Sequence, residues 1–423
     1  MARKWKVNLA IASVLAFSIY LGFGLILPLF PLYVELLGGG GLEIGLLLAS
    51  FMFTRAFLAR PFGRLSDRIG RKKVIVTGMF LYAILAYLFT IPTQWWGLFF
   101  VRIMQGTASA MVWPVGEALV VDSAPPEKRS RAISTYIFLT NLGIVAGPLL
   151  GGLILFLSQN VMGWSLLTSY KTPFYFTSGI SLVGALIGLF FLKDVLSKVK
   201  DVKAMRQKER EALSKLKPWM RRSLNMLFMN SFFEGFSWSM ASVVAVLFMA
   251  LNFGMDATQF SILFGVAQGL GLLVIVPSGV LSDKVRKKPF VVHGSLWSRI
   301  STIILAFSPL MPIGVWIAVL TYSGKEVGRQ VAQPATRALQ ADLSPVRIRG
   351  RLIGTIQAFS NIGAVLGPIL GGYIWDLTKN RYFDVYILDL PGYSIPFLIS
   401  ALMGIIAALL VLRYVIEPKK RVG

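Results

Sequence analysis

Twelve apolar stretches, each parted from the next by a short polar or glycine-rich interval, set the rhythm of this chain. They run roughly over Val7 to Leu36, Glu43 to Phe62, Val74 to Ile91, Trp95 to Val121, Ala132 to Leu157, Pro173 to Leu192, Ser223 to Leu251, Ala257 to Leu281, Phe290 to Ser308, Ile313 to Ala341, Leu352 to Leu377 and Tyr393 to Tyr414. A helix crossing a bilayer needs about 20 apolar residues at a rise of ~1.5 Å each, and every stretch is close to that length or above it. The pattern predicts an all-α integral membrane protein with twelve spanning helices. Several stretches exceed the minimum, which implies tilting or projection beyond the bilayer. The first is interrupted by Gly22, Gly24, Pro28 and Pro31. Carbonyls freed by proline are tolerated in a membrane only beside protein or a water-lined cavity. This helix is therefore expected to line a path, or else to be kinked by close glycine packing.

The polar intervals repeat. Gly63 to Lys73 reads G-R-L-S-D-R-I-G-R-K-K, and Gly279 to Lys288 reads G-V-L-S-D-K-V-R-K-K. Neither can sit in hydrocarbon, so each is expected to be a tight aqueous connection between two helices. G-I-V-A-G-P-L-L-G-G from Gly143 to Gly152 returns 220 residues later as G-A-V-L-G-P-I-L-G-G from Gly363 to Gly372. Small residues at four-residue spacing let helix backbones approach closely. Gly143, Gly147, Pro148, Gly152, Gly363, Gly367, Pro368 and Gly372 are accordingly expected at helix contacts. The chain reads as a duplication: a six-helix bundle over residues 1–192, a basic linker over 193–222 and a second six-helix bundle over 223–423. In the linker, Val195, Leu196, Val199, Val202 and Met205 are spaced as one helical face, suited to lie along an anionic leaflet.

Composition sharpens this picture. At 55% hydrophobic and 15% charged residues, with mean hydropathy +0.68, the chain is no aqueous globular domain. A net charge of +24 would suggest nucleic acid in a soluble protein, but here Lys and Arg crowd alternate intervals and the two ends. That asymmetry places both termini and both charged loops in the cytoplasm, in a protein of the cell membrane, and gives no reason to expect nucleic acid. Lys171, Lys379 and Arg381 are the exceptions. With no cysteine and His293 as the single histidine, neither a metal site nor a cofactor is expected, and the residues of an enzyme centre are missing.

Ionisable residues within the stretches are costly in lipid and point to function. Arg102, Ser109, Trp113 and Glu117 recur at helical spacing on the fourth stretch. The seventh holds Glu234 amid Asn230, Phe236 and Trp238, and the ninth holds Arg299. On the tenth, Glu326, Arg329, Gln333, Arg337 and Gln340 advance by three or four, so one polar stripe faces a cavity, while Lys325 lies about 100° away around the helix. Glu234, Glu326, Glu117 and Arg102 are the candidates for proton coupling, with a gate salt bridge as the other reading of Glu117. Arg329, Gln333, Asn230, Phe236, Trp238, Trp113, Asn141, Gln357, Asn361 and Arg55 are the candidates for a substrate cavity.

The loop at Gly63, Leu65, Asp67, Arg68, Gly70, Arg71 and Lys72 matches G-x-L-x-D-R-x-G-R-K, and Arg102 to Ala110 matches R-x-x-Q-G-x-x-x-A. With the glycine blocks and the repeat, the chain resembles the major facilitator superfamily of transporters. Gly22 to Tyr33 and the first glycine block are similar to the drug:proton antiporter branch, although the first helix lacks a central acidic residue. The resemblance implies two bundles rocking about a midplane site. It also implies proton coupling at Arg102 and an inner latch from Gly63, Asp67, Arg68, Gly70, Arg71 and Asp122. Asp283, Lys287 and Asp342 stand in the equivalent places, with Lys for Arg and Arg286 where the first copy has Gly70, so the first-half latch is expected to dominate. The expected function is a monomeric, proton-coupled exporter of small amphipathic molecules. A proton-linked importer or a lipid or organic-anion transporter is the alternative, and a non-transporting sensor, for which no output domain is visible, a further one.

Overall fold

The computed structural model describes residues 2–125, 128–194, 216–345, 348–385 and 388–418. The linker face from Val195 to Met205, Arg347 and the basic tail from Lys419 lie outside the described residues. Thirteen α-helices are described: α1 Ala2–Ile26, α2 Phe30–Leu36, α3 Gly41–Ile69, α4 Arg71–Leu88, α5 Trp95–Ser123, α6 Arg129–Phe156 and α7 Leu166–Phe191, then α8 Pro218–Phe253, α9 Ala257–Lys284, α10 Lys287–Phe307, α11 Gly314–Asp342, α12 Arg349–Thr378 and α13 Ile395–Tyr414. Each apolar stretch coincides with one of them, except that the first is divided. Pro28 and Pro31 supply no amide hydrogen, and α1 stops at Ile26 while α2 restarts at Phe30 with Pro31 in its first turn. Nine described helices (α1, α3, α6 to α10, α12 and α13) are long and apolar enough to cross a bilayer. The shortfall in α4, α5 and α11 follows from the polar and charged residues they carry.

The chain divides into two compact units, residues 1–199 with 254–266 and residues 200–253 with 267–423. In the first, α1 packs along α6 and α7, and α4 along α5 and α7. In the second, α8 packs along α12 and α13, and α10 along α11 and α13. These four pairings correspond one to one, whereas the packing of α3 along α5 has no counterpart of that extent between α9 and α11. Association in lipid draws little on the hydrophobic effect and depends on close van der Waals packing. Glycine supplies it here: a Cβ on Gly147 would lie 2.6 Å from Leu21 O on α1, and one on Gly363 2.2 Å from Phe232 O on α8. Gly143 and Gly151 continue the first seam, and Gly367 and Gly371 the second. Gly152, one residue off that line, faces Thr258 O at the start of α9 within the first unit, at 3.2 Å for an added Cβ.

The two charged loops differ in backbone. Gly70 joins α3 to α4 with φ +103, and a Cβ there would come within 1.9 Å of Asp194 Oδ2. Only glycine fits that turn. Arg286, its counterpart, has φ −156 and ψ 147, extended backbone open to any residue, so the second loop needs no glycine.

Between α12 and α13 a hairpin that the hydropathy pattern did not suggest pairs β1 Tyr382–Val385 with β2 Leu388–Pro391, antiparallel. Asp384 stands opposite Asp389, and its hydrogen bond and charge hold the Asp389 carboxyl above the usual range.

Candidate functional site

A cavity of about 270 Å³ lies in the second unit. Its wall is Asn230, Glu234 and Trp238 of α8, Ser295 and Arg299 of α10, Arg329, Gln333, Arg337 and Gln340 of α11, and Gln357 of α12. The polar stripe expected on α11 thus does border a cavity, apart from its first member. Five of the expected cavity residues meet here: Arg329, Gln333, Asn230, Trp238 and Gln357, the last donating to Asn361 at 3.0 Å. Phe236 is buried instead in the glycine seam, where a Cβ on Gly363 would lie 2.7 Å from its amide nitrogen.

Glu234 and Arg299 form an ion pair on this wall. Ser295 Oγ donates to Glu234 Oε1 at 2.6 Å, and Arg299 Nη1 donates to Ser237 Oγ at 2.7 Å. Ser237 Oγ in turn donates to the Ser400 carbonyl of α13 at 2.6 Å. The Arg299 side chain is 3% exposed and rests on Gly404, where a Cβ would lie 1.8 Å from its Nε. A side chain at that position on α13 has no room beside the guanidinium. Arg299 was legible as an intramembrane charge, but not as a partner of Glu234; Ser295, one turn before it, was the available signal.

One turn up α11, Glu326 withdraws from the stripe into the interior. Arg329 donates to it through Nε at 2.9 Å and lies 2.8 Å away through Nη2, while Lys325 Nζ stands 3.2 Å from its other oxygen. Lys325, whose direction the helical angle left open, is therefore a buried member of this group, with its ammonium 4.6 Å from the Tyr322 ring centre. The Arg329 guanidinium carbon lies 5.7 Å from the Trp238 ring.

The remaining candidates belong to the first unit. Arg102, 2% exposed, has its guanidinium carbon 3.6 Å from the Phe30 ring centre and donates to Gln105 Oε1 at 2.8 Å. Arg55 lies 4.6 Å from the Trp113 ring, which stacks on Tyr20 at 4.5 Å. Among the described residues neither arginine has an ion-pair partner; aromatic faces attract both cations instead. Glu117 is exposed and near Tyr136, and Asn141 is half-buried.

At the charged loops, Arg71 bridges Asp67 at 3.0 Å and Asp122. Lys287 pairs with Asp342, whereas Asp283 is exposed without an ion pair among the described residues. Arg68 lies in the last turn of α3, where a cation complements the helix dipole. Two further carboxylates take part that sequence reasoning missed. Asp194 accepts from the Lys72 amide at 3.2 Å, and Glu417 accepts from the Lys287 and Lys288 amides at 2.8 and 3.2 Å. Each follows the last helix of its half and meets the exposed amides of a helix start, a favourable place for negative charge. The signal was the repeat itself, which puts an acid soon after each closing helix.

Comparison with known proteins is consistent with this architecture. The family profile of the Major Facilitator Superfamily matches residues 12–229 and 227–423. The chain is 25% identical to "Multidrug resistance protein 2" of Bacillus subtilis (strain 168) over 87% of its own length and 88% of that protein. It is 22% identical to "Quinolone resistance protein NorA" of Staphylococcus aureus (strain MRSA252), over 85% and 88%. Among solved structures, a bacterial homologue of the human lysosomal transporter Spinster, inward-facing and occupied, superposes with a TM-score of 0.77 at 16% identity, covering 96% of this chain and 95% of that one. That likeness is one of fold. A family match spanning nearly every residue, on two units of corresponding helix pairings, makes this chain a member of the Major Facilitator Superfamily of membrane transporters.

Proposed function

We propose that this transporter is a proton-coupled exporter of small amphipathic molecules. In this reading it works by alternating access as a monomer in the cytoplasmic membrane, with twelve spanning helices and both ends inside. The observation that carries the reading is the Glu234–Arg299 pair on the cavity wall. A neighbouring cation favours the charged form of a carboxylate and desolvation favours the neutral form. A carboxylate that alternates between those surroundings takes up and releases a proton in each cycle. Export is supported by the relatives named for multidrug and quinolone resistance. Arg71, joining Asp67 to Asp122, serves as the main conformational latch, and Lys287 with Asp342 as the lesser one.

Flux in sealed vesicles under an imposed pH gradient tests the proposal. Glu234→Gln is expected to abolish gradient-driven transport while leaving substrate exchange. Undiminished driven flux in Glu234→Gln, Glu326→Gln and Glu117→Gln alike would exclude proton coupling through these groups. Proton-linked uptake of an anion is the second reading, favoured by the surplus of guanidiniums at the cavity. The direction of flux in oriented vesicles separates the two.

A further inference from the structure

We infer that the cavity of the second unit holds the anionic head of an amphipathic substrate, a carboxylate or sulfonate, on Arg329 and Arg337, with the apolar body of the molecule against Trp238. The inference rests on the transporter reading of this cavity and names the substrate class it accepts.

Charge is the first ground. Three guanidiniums (Arg299, Arg329, Arg337) line the cavity against one carboxylate, Glu234. Behind the wall Lys325 adds a cation and Glu326 an anion, so a surplus of two positive charges remains. The surplus attracts an entering anion and repels an entering cation, most strongly beside the more enclosed Arg329. A second ground is how the three arginines are already engaged. Arg299 is committed to Glu234, and Arg329 shares Glu326 with Lys325. Arg337 has no ion pair among the described residues. The unclaimed capacity therefore lies on α11, at Arg337 and in part at Arg329.

Exposure is the third ground. Arg337 is exposed, the Arg329 side chain is 23% exposed and that of Arg299 is 3% exposed. An anion meets the accessible guanidinium first and a more enclosed one next, without having to break the Glu234–Arg299 pair. A guanidinium offers paired donors that match the two oxygens of a carboxylate or sulfonate. Beside Arg329, the Trp238 ring at 5.7 Å with Ala332 and Ile356 supplies apolar surface, while Gln333 and Gln340 offer neutral donors. The wall is thus suited to a molecule with one charged end and one flat apolar end.

The test uses the full-length protein in phosphatidylcholine nanodiscs, without a pH gradient, titrated calorimetrically with 2-naphthalenesulfonate and with 2-naphthylmethylammonium. The sulfonate is expected to bind at least about tenfold more tightly than the ammonium. Arg337→Gln should reduce sulfonate affinity about tenfold while Arg337→Lys, which keeps the charge but not the paired donors, gives a smaller loss, and Arg329→Gln should weaken it as well; thermal unfolding of each variant reports that it is folded. Equal or tighter binding of the ammonium, or sulfonate affinity unchanged in folded Arg337→Gln and Arg329→Gln, overturns the inference. In discs containing phosphatidylglycerol, displacement of the bound sulfonate by lipid identifies a headgroup site and overturns the substrate assignment, whereas undisturbed sulfonate binding supports it. Because binding is read at equilibrium, failure here is distinct from failure of proton coupling, which only driven flux reports.

Discussion

Arg299 shows what a single charge requires inside a helix bundle: a carboxylate from α8, a hydroxyl from Ser237 and a floor without a side chain at Gly404. Removing one partner of a buried ion pair strands the other, at a cost of about 3–5 kcal/mol. Arg299→Gln is therefore expected to lower resistance to unfolding by about 3 kcal/mol, toward the bottom of that range because Glu234 is 29% exposed. In the double variant with Glu234→Gln the two losses should fall well short of additive, as a double-mutant cycle in detergent unfolding would read. Gly404→Ala, which keeps both charges but places a methyl group against Nε, should impair driven flux with the pair's own residues intact. At Gly70 the conflict is in the backbone as well as with Asp194. Gly70→Ala is expected to cost about 1–3 kcal/mol, and Arg286→Gly at the extended counterpart well under 1 kcal/mol, in paired thermal melts.

At the level of the helix, the seams of α6 on α1 and of α12 on α8 carry the packing. Gly147→Leu and Gly363→Leu are expected to eliminate the monodisperse folded species in size-exclusion chromatography. Gly179→Leu, at a position with nothing within 4 Å, should leave that species intact. Helix existence was legible because long apolar runs admit few alternatives, and the division of α1 from α2 followed from Pro28 and Pro31. The helix ends were less so: α7 begins at Leu166, capped by Ser165, and carries Pro173 inside it, because the apolar run alone does not mark where hydrogen bonding begins. The hairpin at Tyr382–Pro391 was not legible because its strands are four residues each, so the alternation in Phe383-Asp384-Val385 and Leu388-Asp389-Leu390 is too short to stand out beside the long apolar runs. At the cavity, the α11 stripe was visible from spacing alone. The Glu234–Arg299 pair was not, since it joins two helices whose mutual rotation is set by packing rather than by either sequence.

Across the whole molecule, the duplication makes a prediction about sidedness that no single helix can make. Loops at equivalent places in parallel repeats must emerge on one side of the bilayer. The absence of cysteine makes this accessible to labelling. Arg68→Cys and Lys284→Cys are expected to react with an impermeant maleimide from the same side, the one reached in inside-out vesicles, and reaction from opposite sides would refute the repeat topology. The repeat also accounts for Asp194 and Glu417, each of which follows a closing helix and returns to the start of an earlier one. For Glu417 this sets a practical boundary for protein engineering. Three residues past Tyr414, it is the clasp on the front of α10, so an affinity handle or fluorescent fusion spliced in ahead of it would detach that helix start, while one appended after Pro418 leaves the clasp closed.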